Sequence, residues 1–163
     1  IDGENLIQVT DELGYDGGAF FSPDSKKLVF RASRPESEED RKTYIDLLSK
    51  GFVQPSDLEI FTCNIDGSEM KQITNLGGAN WAPYFHPEGE KIIFASNHKS
   101  KSGRSFNLFL TDLEGENVEQ ITFDETFDAF PMFSYDGKYL VFSSNRNNGG
   151  GRDTNVFLAE WKD

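Results

Sequence analysis

The 163 residues include 28 acidic and 16 basic side chains, and the net charge of −12 argues against nucleic acid or an anionic membrane surface as the main partner. No run of about 18 apolar residues occurs, so we predict no membrane span. The single Cys63 excludes an intrachain disulfide, and its place in an apolar run predicts a buried packing residue.

Taken in chain order, the predicted elements are short strands rather than long helices. Apolar runs flank a polar turn in three similar stretches, and each stretch predicts a β-hairpin; these are residues 19–30, 82–94 and 129–142. The first two hairpins are each followed by a third strand, a glycine-containing turn and a fourth strand that ends at Thr74 or Thr122. We therefore predict an all-β fold built from four-stranded antiparallel units.

The repeat has a constant period outside one insertion. Phe94 and Phe142 lie 48 residues apart, as do Phe61 and Phe109, whereas Phe30 and Phe94 lie 64 residues apart. The 16 extra residues (64 minus 48) therefore fall between Phe30 and Phe61. One repeat unit and one insertion account for the chain.

The repeat divides residues 1–163, which we treat as one partial domain, into four segments. Residues 1–10 correspond to the last strand of a preceding or closing unit, because Leu6–Thr10 matches Met70–Thr74. The full units follow as residues 11–74 with an insertion at 35–57, residues 75–122, and residues 123–163, which lack a fourth strand. Because an exposed sheet edge favours pairing, we expect the orphan strand and the vacant edge to be complementary.

The insertion predicts a helix from about Glu38 to Lys50. A capping box at residues 37–40 begins it, Gly51 ends it, and apolar side chains recur at helical spacing, namely Tyr44, Ile45, Leu47 and Leu48. Because the helix joins a second strand to a third, it lies on the same face as the loops between units. There it either binds a partner or covers its own unit with its apolar side.

The third unit carries a motif that extends beyond its apolar pattern. It combines Ile121-Thr122, Asp128, the run Pro-Met-Phe-Ser-Tyr-Asp-Gly-Lys at 131–138, and Ser144-Asn145-Arg146. The motif resembles the WD40-like (PD40) repeat of TolB-type β-propellers and recurs in the other units, with departures at Ser25, His86, Tyr135 and Asn97-His98. The resemblance implies four-stranded antiparallel blades in a ring of about six, of which these three repeats are half.

Equivalent positions on the loop-bearing face form the candidate binding site, at the expected mouth of the central channel. Just before the innermost strands lie Asp16, Asn80 and Asp128, and just after the second strands lie Arg34, His98 and Arg146. The neighbouring indole of Trp81 completes the set. Such a ring can bind a charged peptide segment or an ion. Alternatively, each acid caps loop amides and pairs with its base, blade after blade.

Catalytic patterns are missing from the sequence, which contains neither a Gly-x-Ser-x-Gly elbow nor a glycine-rich phosphate loop. We therefore expect no catalysis by this chain, no cofactor and no metal. The resemblance implies a periplasmic, non-catalytic binding propeller that contacts peptidoglycan-associated lipoprotein and the Tol system. The alternatives are the propeller of a prolyl-oligopeptidase-type or tricorn-type peptidase, or a carbohydrate-active propeller.

The expected partner is a protein or a peptide segment, bound through the face that carries the loops between units and the helical insertion. A second copy of the chain is a further possible partner. Two copies would complete a six-bladed ring if each offered Leu6–Thr10 to the vacant edge beside Asn155–Trp161 of the other.

Overall fold

The computed structural model describes residues 3–54, 57–151 and 153–162. Ile1 and Asp2 of the expected first strand, and Pro55 and Ser56 of the insertion, lie outside these ranges. The described residues form three antiparallel sheets and one helix. This arrangement confirms the predicted antiparallel all-β class with a single helical insertion.

In each sheet, neighbouring strands are consecutive in the chain. We call the first strand of each sheet its inner strand. The first sheet contains β1 (Tyr15–Phe21), β2 (Lys27–Ser33), β3 (Glu59–Asn64) and β4 (Lys71–Gln72), and helix α1 (Glu38–Ser49) connects β2 to β3. The second contains β5 (Asn80–Phe85), β6 (Lys91–Ser96), β7 (Asn107–Asp112) and β8 (Glu119–Gln120). The third contains β9 (Asp128–Phe133), β10 (Tyr139–Ser144) and β11 (Asn155–Glu160).

The repeat period reappears as an identical strand register. A phenylalanine of each second strand lies directly opposite a phenylalanine of the third strand, and their rings stack with centroids 5.8 to 6.0 Å apart. The pairs are Phe30 with Phe61, Phe94 with Phe109, and Phe142 with Phe157. Cross-strand aromatic pairs stabilise a sheet, so the same contact recurs in every unit.

Each inner strand contains a β-bulge at the same place. The strand register shifts there, and one residue adopts a positive φ: 65° at Gly18, 50° at Ala82 and 56° at Phe130. Residues other than glycine rarely adopt this backbone conformation. Its presence in three chemically different residues shows that the surrounding sheet imposes the bulge.

The hydrophobic core lies between successive sheets. Val29, Ile60 and Ile73 of the first sheet pack against Phe94 and Phe109 of the second. Between the second and third sheets, Ile93 and Leu108 pack against residues of β9 and β10 in the same way. The sheets therefore stack face to face, with their inner strands side by side.

The structure corrects the prediction of a strand at residues 6–10, because no strand forms there. A strand requires a hydrogen-bonded neighbour, and no described segment pairs with these residues. Leu6 and Ile7 are consequently exposed.

Helix α1 confirms the prediction for the insertion. Ser37 is its N-cap, and the Ser37 hydroxyl accepts a 3.0 Å hydrogen bond from the Asp40 amide. No helix in the described part of the chain is both long enough and apolar enough to span a membrane.

Candidate functional site

The predicted site residues occupy equivalent positions at one end of the sheets, which we call the loop face. It comprises the connections between second and third strands and those between one sheet and the next. Asp16 lies opposite Ala32 in the strand register, and the two equivalent pairs are Asn80 with Ser96 and Asp128 with Ser144. Asn97 and Asn145, which follow second strands, link these loops to the loops before the inner strands. Their side-chain oxygens accept 2.8 Å hydrogen bonds from the backbone amides of Ala79 and Phe127, respectively.

In the first and third sheets the predicted acids and bases pair with each other. Arg34 Nη2 lies 2.5 Å from Asp16 Oδ1, and Arg34 Nε lies 3.0 Å from Glu12 Oε2. Arg146 donates to the carboxylate of Asp128, a residue with no exposed surface. The charges at these positions are therefore largely neutralised within each sheet.

The second sheet replaces the ion pair by a neutral network. The Ser96 hydroxyl donates to Asn80 Oδ1 over 2.6 Å, and His98 Nδ1 lies 2.8 Å from the same hydroxyl. Burial lowers the pKa of His98, and the nearby Lys99 lowers it further. Because His98 has an ordinary pKa of 6.5 that is lowered here, it is neutral at pH 7.

The bases of this ring also lie over aromatic side chains. Arg34 is 5.5 Å from the centre of the Phe61 ring, and Arg146 is 5.2 Å from that of Phe142. The rings of His98 and Phe109 lie 4.5 Å apart. Each base is thus held between a polar partner and a phenylalanine of its own sheet.

Glu59, which the sequence analysis did not identify, organises the loop between the first and second sheets. Its buried carboxylate accepts hydrogen bonds from the amides of Leu76 and Gly77, at 3.0 and 2.8 Å, and from Thr74 Oγ1. Asn80 Nδ2 donates to it over 3.1 Å. In the sequence, the only indication of this role is that an acidic residue stands at the start of an otherwise apolar strand.

The predicted ring is therefore well satisfied internally. The exceptions are Asp128 Oδ1 and Trp81 Nε1, which are buried and have no hydrogen-bond partner among the described residues. The geometry supports loop organisation by these residues, and ligand binding at the ring stays a prediction.

Trp81 belongs to an aromatic cluster beside the ring. Its indole lies 5.2 Å from the Phe106 ring, 6.2 Å from Phe127 and 5.7 Å from Phe130, measured between ring centres. The Arg31 guanidinium lies over the indole, 6.0 Å from its centre. Phe130 is half exposed, so the cluster continues to the surface.

Helix α1 presents a second aromatic and aliphatic surface on the loop face. Tyr44 is buried, and its hydroxyl donates a 2.7 Å hydrogen bond to the Gly14 carbonyl, which anchors the helix to its own sheet. Leu47 is half-buried, and four further apolar side chains of the insertion are between 49% and 64% exposed; they are Ile45, Leu48, Phe52 and Val53. We call these four residues the helix patch. Only part of the apolar side of the helix is used for packing.

An acidic cavity of about 300 Å³ opens beside the start of the helix. Its lining includes Glu36, Asp40, Asp57 and Glu59, with Arg34 at one side. The Asp57 carboxylate accepts a hydrogen bond from the Gly78 amide. The cavity therefore favours positively charged groups of a partner over negatively charged ones.

Comparison with known proteins gives curated relatives that match part of this chain. Dipeptidyl-peptidase 5 of Porphyromonas gingivalis is 34% identical over 76 residues, which are 47% of this chain and 9% of that protein. A solved structure of a TolB-type protein from Agrobacterium tumefaciens superposes with a TM-score of 0.67 at 25% identity. The match covers 93% of this chain and 47% of the Agrobacterium chain.

TolB from Acinetobacter baumannii superposes with a TM-score of 0.68 at 24% identity, over 93% of this chain and 31% of that one. The chain thus spans less than half the length of each of these proteins. Residues 43–154 match the family model of the TolB β-propeller domain, which is more than half of the sequence. The chain therefore belongs to the TolB β-propeller domain family.

Proposed function

We propose that the chain is a non-catalytic binding module, part of a TolB-like propeller exported to the periplasm, that binds a protein partner through its loop face. The observation that carries this proposal is the helix patch. Exposed apolar side chains grouped on one insertion are typical of protein interaction sites. Ile45 and Leu48 are three residues apart, so they lie on the same side of the helix.

The acidic residues around the helix patch limit the kinds of protein that can bind there. The first turn of α1 contains Glu38, Glu39 and Asp40, and the neighbouring cavity adds further carboxylates. A surface with an apolar centre and an acidic rim is complementary to a partner with apolar anchors and basic neighbours. The resemblance to TolB proteins suggests peptidoglycan-associated lipoprotein as the first partner to test.

In this proposal the polar ring has a supporting role. The Asp16–Arg34 and Asp128–Arg146 pairs hold the loops in place, and these loops carry the binding surface. A rigid scaffold beneath an exposed loop surface is a common arrangement in binding proteins.

The test is a calorimetric titration with the soluble domain of peptidoglycan-associated lipoprotein from Acinetobacter baumannii. Ile45→Glu combined with Leu48→Glu should weaken binding at least about ten-fold, because both side chains are central to the helix patch. Tyr135→Glu is the matched control, since Tyr135 is fully exposed in a β-hairpin turn at the opposite end of the sheets. No binding by the wild-type chain would exclude this partner. Equally weakened binding by the control variant would exclude the loop face as the binding site.

A second candidate function is the propeller portion of a peptidase, favoured by the identity with dipeptidyl-peptidase 5. In that role peptides would contact the aromatic cluster at Trp81 and Phe130 rather than the helix patch. Titration with a labelled hexapeptide separates the two functions. Trp81→Ala would then weaken binding, whereas the substitutions at Ile45 and Leu48 would not.

A further inference from the structure

A second cavity, of about 410 Å³, opens on the loop face between the loop that follows β6 and the connection from β8 to β9. We call it the second-sheet cavity. All the residues that line it fall between positions 96 and 125, a continuous stretch from the middle of the sequence. Its walls therefore come from one repeat unit and the connection that follows it.

The first unit has a cavity at the equivalent place, which is the acidic cavity beside helix α1. The two cavities share three pairs of lining residues that are 48 positions apart: Glu59 and Asn107, Phe61 and Phe109, and Gln72 and Gln120. The fold thus builds the same kind of cavity in both units. The side chains of each unit decide what its cavity can bind.

The second-sheet cavity has cations where the first has acids. Residues 91–111 contain no acidic side chain, although the chain carries a net charge of −12. Lys99 and Lys101 line the cavity, and neither forms an ion pair with any described residue. Lys99 instead lies 5.4 Å from the centre of the Phe109 ring. Two positive charges are therefore available to an anionic group of a ligand.

Hydrogen bonds within the loop after β6 fix the wall that carries these lysines. The side-chain amide of Asn97 donates to the Gly103 carbonyl over 2.9 Å. The Ser100 hydroxyl lies 2.7 Å from the Ser105 hydroxyl and accepts a 3.2 Å hydrogen bond from the Ser105 amide. A loop that is already ordered loses little conformational entropy when a ligand binds.

The connection from β8 to β9 supplies an aromatic ring and two carboxylates to the same cavity. Phe123 lines it and is 77% exposed. Asp124 and Glu125 also line it. The Thr126 hydroxyl donates to Asp124 over 2.6 Å and lowers the pKa of that carboxyl, so Asp124 is ionised at neutral pH. The cavity therefore contains cations, carboxylate acceptors, amides, hydroxyls and one exposed ring.

A sugar matches this combination of groups better than a peptide does. The C–H face of a sugar ring packs on an aromatic side chain, while its hydroxyls donate to carboxylates and accept from serines and amides. The lysines favour a ligand that also carries a negative charge. An acidic peptide would satisfy the lysines, but Asp124 and Glu125 would repel its other carboxylates.

We propose that the second-sheet cavity binds an acidic saccharide, in which the sugar ring carries a carboxylate. That carboxylate binds Lys99 and Lys101, the ring packs on Phe123, and the hydroxyls bind Asn107 and Gln120. The cavity belongs to the second sheet and does not use the helix patch of the first. The proposal is thus independent of the protein partner proposed above.

A titration followed by amide chemical shifts tests the site with two matched probes. Methyl α-D-glucuronide and methyl α-D-glucoside differ only in a carboxylate that replaces a hydroxymethyl group. The glucuronide should shift the signals of residues 96–109 and 120–125 with a Kd on the order of millimolar, and the glucoside should bind at least about five-fold more weakly. No localised shifts with the glucuronide would overturn the proposal, and equal affinities would overturn the role of the lysines.

A pair of double variants tests the two cations. Lys99→Gln combined with Lys101→Gln should weaken glucuronide binding at least about five-fold and leave glucoside binding unchanged. Lys26→Gln combined with Lys138→Gln is the matched control, because it removes the same charge from exposed hairpin turns at the opposite end of the sheets. Equal weakening by the control would show a general effect of charge and would overturn the assigned site.

An acidic dipeptide tests the class of ligand. N-acetyl-Glu-Glu-amide should bind more weakly than the glucuronide, because Asp124 and Glu125 repel it. Phe123→Ala should weaken binding of both sugars at least about three-fold, since it removes the surface on which the ring packs. Tighter binding of the dipeptide, or unchanged sugar binding by the Phe123 variant, would overturn the saccharide as the ligand.

Discussion

Asp128 and Arg146 illustrate what single residues do at the loop face. The carboxylate of Asp128 is fully buried at the start of β9, and the guanidinium of Arg146 reaches it while lying over Phe142. A buried charge is tolerated because it is paired, so each member depends on the other. The Asp16–Arg34 pair is the same design at a more exposed position.

Arg146→Ala should lower the free energy of unfolding by about 3 kcal/mol, because it leaves a buried carboxylate without its cation. Arg34→Ala is the matched control and should cost about 1 kcal/mol, since the Asp16 side chain is 22% exposed and water replaces its partner. Urea unfolding of the two variants gives the comparison. Equal losses would mean that burial of the carboxylate does not decide the effect.

Helix α1 is the element that distinguishes the first sheet from the other two. Its acidic first turn and its serine N-cap stabilise the start of the helix, and Tyr44 anchors the middle. Because the outer side chains remain exposed, the helix adds surface rather than core. Its stability therefore depends more on capping than the stability of the sheets does.

Ser37→Ala should raise hydrogen-exchange rates at residues 41–49 about five-fold, which corresponds to the roughly 1 kcal/mol that a serine cap contributes. Exchange in the sheets should stay unchanged. Ser49→Ala is the control, because Ser49 lies in the last turn and its hydroxyl donates only to the Asp46 carbonyl. Unchanged exchange in the Ser37 variant would show that docking through Tyr44 alone holds the helix.

At the scale of the whole molecule, glycines set the distance between neighbouring sheets. Gly115 lies in the turn after β7, with φ of 78°, and an added Cβ atom would lie 1.8 Å from the Ile73 carbonyl oxygen of the preceding sheet. Gly67 makes a similar close approach to the backbone of Val9, in a segment that forms no strand. The first and second sheets can approach closely here only because Gly115 has no side chain.

Gly115→Ala should cost at least about 2 kcal/mol, since it combines an unfavourable φ with a clash against a packed backbone. Gly67→Ala shares the φ penalty, but Val9 is only half-buried and pairs with no described strand, so its backbone can shift and a loss of about 1 kcal/mol is expected. Thermal unfolding at a fixed protein concentration compares the two. A larger loss at Gly67 would instead indicate that residues 6–10 are firmly held.

The candidate site was predictable where it follows the repeat and unpredictable where it does not. The 48-residue period, lengthened by the 16-residue insertion in the first unit, placed Asp16, Asn80 and Asp128 at equivalent positions, as the strand register confirms. Glu59 escaped prediction because its counterpart in the next unit is Asn107, so the acid has no repeat pattern. The exposure of Ile45 and Leu48 was also undetermined, since helical spacing identifies an apolar side without showing what covers it.

The sequence by itself determined the local elements: strands that alternate with glycine turns, the capped helix and the period that relates the units. These features depend on neighbouring residues, whose pattern is visible in one dimension. Only the tertiary structure decided which groups pair. Arg146 reaches Asp128 because the strands align them, and residues 6–10 form no strand because a strand exists only with a hydrogen-bonded neighbour.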